Sequence, residues 1–117
     1  MRKSLYILAF AAVLFASCGK GYDTKSHVKQ FISENMYLDG YDVLAWSNVD
    51  STFHVSDSAL YAMRQLAVKN HIVKAGTKYS PRTEKLNMIS IRYKLKDDTL
   101  MNTFYLDDKL TGIVGVK

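Results

Sequence analysis

The sequence predicts an α+β domain in which two helices pack on a curved antiparallel sheet, in the order α-β-α-β-β-β, with a three-stranded C-terminal meander. Three observations carry this. Val28, Phe31, Ile32 and Met36 recur at i, i+3, i+4 and i+8, the spacing of one helical face. Leu60, Met63 and Ala67 repeat that spacing, with Tyr61 and Leu66 flanking it. Past Lys85 the period falls to two: Ile89, Ile91, Tyr93 and Leu95 alternate with Ser90, Arg92, Lys94 and Lys96, as side chains do on the two faces of a strand.

Residues 1–17 stand outside the fold. Arg2 and Lys3 precede an apolar run over residues 5–15, and the small residues Ala16 and Ser17 come next, which together make a secretory signal peptide. The run is shorter than the roughly 20 apolar residues that cross a bilayer. The ending Phe15-Ala16-Ser17-Cys18 resembles the lipobox of bacterial lipoproteins, in the relaxed form of Bacteroidota, with Phe15 where the pattern prefers Leu or another aliphatic. The resemblance covers the first eighteen residues. It implies a diacylglycerol on the Cys18 sulfur and cleavage just before it. The mature chain would then be a lipid-anchored envelope protein with a periplasmic or surface-exposed domain.

Cys18 is the only cysteine of the 117 residues. An exported compartment is oxidising, and acylation would occupy a thiol that has no intrachain partner. No disulfide then staples the fold, so an apolar core must hold it. Residues 18–117 suffice for one domain and not two, and a chain that size buries roughly two-thirds of its unfolded surface.

Along the chain, residues 18–25 hold the lipidated cysteine and a small, polar, glycine-containing tether, leaving 26–117 as the domain. Thr24 or Ser26 is suited to cap the first helix, which should end near Asp39-Gly40. Residues 41–55 are rich in β-branched and aromatic side chains and predict one long bent strand, or two short ones broken near residues 48–51. Ser56 or Asp57 caps the second helix and Asn70 stops it. Residues 71–84, with Gly76 and Pro81, form mostly loop. Asp97-Asp98 is the expected hairpin turn. Leu100, Asn102, Phe104 and Leu106 mark the next strand, residues 107–109 turn the chain again, and residues 110–117 give a last strand with Val114 and Val116 on one face. This order is similar to that of cystatin-like and NTF2-like rolls, in which a curved sheet wraps a helix. The likeness is one of element order alone. The QxVxG-type loop of cystatin inhibitors is missing, so protease inhibition is not implied.

The chemistry-bearing residues are sparse. His27, His54 and His71 have no metal-ligand spacing between them, and there is no second cysteine. No GxSxG elbow surrounds any serine. The aspartate pairs at 97–98 and 107–108 suit turns and lack the alternate-residue spacing of a calcium loop. Gly19 and Gly21 precede no strand–helix phosphate loop. The expectation is a non-enzymatic protein without metal or cofactor. The weakest alternative is an enzyme using His54 with Asp50 or Asp57.

Charge is the feature that stands out. Between Arg64 and Lys96, nine Lys and Arg face Glu84 alone, while the mature segments on either side are net acidic. In an exported protein such a surface, with Lys74, Lys78, Arg82, Arg92 and Lys94 at its centre, suits an anionic envelope component or an acidic protein partner rather than nucleic acid. A lipid anchor and basic residues also reinforce each other at a membrane. The alternative is a small-ligand-binding roll whose apolar pocket is lined by Trp46, Tyr93 and Phe104.

Overall fold

A computed structural model describes residues 23–117. The expected signal peptide and Cys18 therefore lie outside the described residues. The architecture is α+β, in the order α-β-β-α-β-β-β. Helix α1 covers residues 23–35, and after it come β1 (Asp42–Trp46), β2 (Asp50–Thr52), α2 (Asp57–Lys69), β3 (Leu86–Leu95), β4 (Asp98–Leu106) and β5 (Ile113–Val116). β1 and β2 lie end to end along β3, and β3, β4 and β5 form the expected meander, so all five strands make one antiparallel sheet.

Helix α1 starts earlier and stops earlier than its sequence suggests. Thr24 and Ser26 lie inside it, and Thr24 is fully buried. Thr24, Val28, Phe31 and Ile32 form one packed face, so burial extends the helix back into the expected tether. The helix ends at residue 35 because the chain there is captured: Met36 pairs with Val73, and the Lys74 N–H bonds the Asn35 carbonyl at 2.7 Å. Gly40, at φ 71°, serves the turn into β1 instead. Helix α2 matches expectation, with the Ser56 hydroxyl accepting from the Ala59 N–H at 3.1 Å and Asn70 as its C-cap.

The long bent strand resolves into the two-strand alternative. Where β1 leaves the ladder, Ser47 takes over: its N–H donates to the Ser90 carbonyl at 2.9 Å and its hydroxyl accepts from the Ser90 N–H at 2.8 Å. The β3–β4 turn sits one residue before its expected place. Leu95 pairs with Asp98, so Lys96 and Asp97 form the loop, with Lys96 at φ 56°. Register decides this, because Ile89 opposite Phe104 and Ile91 opposite Asn102 must share the buried face.

β5 corrects another expectation. Leu106 pairs with Ile113 and Tyr105 with Gly115, so Val114 is the extra residue of a β-bulge. The bulge resets the alternation. Val116 joins the core under α1 with Phe104 and Leu106, whereas Val114 joins Leu60, Leu86 and Tyr105 on the other side. Helix α2 lies along β5 and feeds both clusters, Ala67 to the first and Leu60 to the second. Gly115 permits that close approach: a Cβ there would stand 3.0 Å from both Leu60 Cδ1 and Met63 Sδ.

Candidate functional site

The loop over residues 71–84 carries three of the predicted contact residues, Lys74, Lys78 and Arg82, and it is tied down along its length. It leaves α2 through His71 at φ 57°, with the His71 N–H on the Val68 carbonyl and the Ile72 N–H on the Ala67 carbonyl. It then pins to α1 through Lys74 and Asn35. The Thr77 hydroxyl donates to the Lys74 carbonyl at 2.6 Å, and the Ser80 N–H reaches the Ile113 carbonyl on β5 at 2.8 Å.

Tyr79 is the centrepiece of that loop. Its ring packs 5.9 Å from Phe31 of α1, and the Arg64 guanidinium of α2 sits 4.7 Å from the ring centre. Arg64 also donates to the Val114 carbonyl at 2.9 Å and the Ser80 carbonyl at 3.4 Å, joining helix, strand and loop through one fork. The Tyr79 hydroxyl is buried with no hydrogen-bond partner among the described residues. Burial pushes its pKa up, and the positive Arg64 partly offsets this. The Arg64–Tyr79 pairing was missed in the sequence. A signal for it exists, since Leu60, Arg64 and Ala67 fall at i, i+4 and i+7 and place an arginine on the apolar face of α2.

Two clefts flank α1. The larger, about 570 Å³, is lined by His27, Gln30, Glu34, Lys78, Tyr79 and Thr111 among others. The second, about 460 Å³, is bounded by Met36, Tyr37, Tyr41 and Lys74. Lys74 and Lys78, both exposed, thus stand beside α1. Arg82 is held at 2.9 Å by Asp57 of α2, the one ion pair among the described residues. Arg92 and Lys94 lie apart from these. They occupy the sheet face opposite Ile91 and Tyr93, with Arg92 between Ala45 and Met101 and Lys94 between Asp42 and Thr99. The basic segment therefore folds into two separate surfaces, with Arg64 spent on the interior.

Trp46, Tyr93 and Phe104 do share the face toward α1, but side chains meet them there. Phe31 packs edge-on to Phe104 at 6.0 Å, Tyr41 edge-on to Tyr93 at 5.8 Å, and the Tyr93 hydroxyl donates to Asn102 Oδ1. Burial raises the Tyr93 pKa. The Lys25 ammonium stands 5.8 Å from the Trp46 ring.

Three of the aspartates considered for chemistry, Asp50, Asp57 and Asp107, have local partners. Asp57 holds Arg82, the Asp50 carboxylate accepts from the Ser51 N–H, and Asp107 accepts from both the N–H and the hydroxyl of Thr111. Among the described residues no group of three or more His, Cys, Asp or Glu converges as a metal site. None of the described helices is long and apolar enough to cross a membrane. In comparisons with known proteins, the chain matches no family model, no curated protein and no solved structure.

Proposed function

We propose that this chain is a lipid-anchored protein of the bacterial cell envelope, held by Cys18, whose α+β domain is a non-enzymatic binding or assembly module. Its contact surface is the side carrying the 71–84 loop, and its partner is anionic. The observation that carries this reading is the pinned loop: anchored to α1, α2 and β5, it presents Lys74 and Lys78 to solvent on a rigid base. Loops positioned by a scaffold in this way are where binding residues concentrate, and a loop whose backbone is already held loses little freedom on contact. Arg82 contributes less because Asp57 already neutralises it.

The test is expression of the full chain in a related bacterium beside Cys18→Ala and the double variant Lys74→Glu/Lys78→Glu. Cys18→Ala should leave the membrane fraction. The charge-reversed protein should stay there, folded, and lose the envelope cross-links that the parent forms. Cross-linking unchanged by the reversal would remove the basic loop as the contact surface.

A further inference from the structure

The structure also bears on which way the anchored domain faces, an inference that rests on the reading of Cys18 as the anchor. Asp23 is already helical, five positions after Cys18. Whatever path the intervening residues take, five residues span at most about 18 Å. The first turns of α1 must therefore stay close to the headgroup layer.

That end of the domain carries the side chains such a layer selects. Lys25 and Lys29, four apart on α1, share an exposed face, and the Lys25 ammonium sits by the ring of half-buried Trp46 at the end of β1. Lysines reach phosphates while their stems lie on apolar surface, and tryptophan favours the membrane interface. The opposite end of α1 lies about 20 Å away by helical rise, and there the Asn35 carbonyl holds the Lys74 N–H.

We propose that the domain docks against the bilayer that holds its lipid, with Lys25 and Lys29 on lipid phosphates and Trp46 at the headgroup level. Lys74, at the other end of α1, is thereby turned away from the membrane. Lys25 and Lys29 serve the lipid, and Lys74 serves the partner.

Trp46 is the only tryptophan, so its emission reports this face alone. The full chain, purified from membranes, is reconstituted into phosphatidylcholine vesicles containing phosphatidylglycerol and a headgroup-region spin-labelled lipid. The mass of the Cys18 peptide is measured on the same sample. If that cysteine proves unmodified, a maleimide lipid coupled to it supplies the anchor, so failure of anchoring and failure of docking are read separately. Docking predicts loss of most Trp46 emission to the spin label and shielding from aqueous iodide. Lys25→Glu and Lys29→Glu should each lower the docked-to-free ratio by more than about fivefold, the loss expected for removing one positive charge, whereas Lys74→Glu should leave it unchanged. An anchored protein whose Trp46 stays bright and open to iodide would overturn the proposal. Quenching indifferent to the Lys25 and Lys29 reversals would overturn it equally.

Discussion

Replacing Gly112 by alanine is a demanding test of how the loop is held. A Cβ at position 112 would fall 1.9 Å from Ser80 Oγ and 2.6 Å from Ser80 Cβ. Rotating the hydroxyl away removes the first clash and leaves the second, because the Ser80 Cβ moves only with its backbone. The loop must then shift, straining the Ser80 N–H bond to Ile113 and the Arg64 contact to the Ser80 carbonyl. Overpacking of this kind costs about 1–3 kcal/mol, and each weakened hydrogen bond adds about 1 kcal/mol. The total comes to about 3–5 kcal/mol, and a domain this size loses roughly 4–8 °C of Tm per kcal/mol. Urea unfolding should show a lower midpoint with an unchanged slope. Ser80→Gly in the Gly112→Ala background removes both offending atoms and should recover most of the loss, a strong coupling in a double-mutant cycle. A single variant with the parent's midpoint, or a double variant no better than the single, would refute the close approach of loop and strand.

The same geometry sets three further outcomes. Arg64→Ala should lose about 2–3 kcal/mol in denaturant unfolding, through charge-assisted hydrogen bonds and ring contact, and Arg64→Lys should recover little because an ammonium lacks the planar fork. Tyr79→Phe should be neutral or up to about 1 kcal/mol more stable, since it removes a buried hydroxyl that no described group satisfies. Tyr41, Tyr79 and Tyr93 all have pKa values raised by burial, so in the alkaline range the unfolded chain, titrating near 10, loses protons first. The stability these tyrosines contribute is therefore complete below about pH 10 and declines as pH rises through their higher folded values; alkaline melting curves should show this, more shallowly in Tyr93→Phe.

The periodic elements were legible in the sequence because burial alone specifies them. Ile89, Ile91, Phe104 and Leu106 alternate onto the sheet face covered by α1, and Ser56 sits where a helix needs an acceptor for its free N–H groups. The illegible features depend on contacts distant in the chain. Helix α1 stops at residue 35 because Val73 and Lys74 capture the chain at Asn35 and Met36, and no local residue announces that. The bulge at Val114 separates it from Val116, although the pair look equivalent in a simple alternation. The basic segment reads as a single surface because one-dimensional charge density does not say which side of a strand a residue takes. Folding sends Arg92 and Lys94 to one face of the sheet, leaves Lys74 and Lys78 beside α1, and turns Arg64 inward against Tyr79. Arg64 could have been flagged, since an arginine in phase with Leu60 and Ala67 needs an interior partner.

The central claim is that Cys18 fastens this domain to a membrane, and the most direct measurement is the mass of the N-terminal peptide of the protein recovered from the membrane fraction. The account predicts a chain that begins at Cys18 and carries a diacylglyceryl group on its sulfur, and loss of that fraction in Cys18→Ala. A soluble protein with an unmodified Cys18 would contradict it.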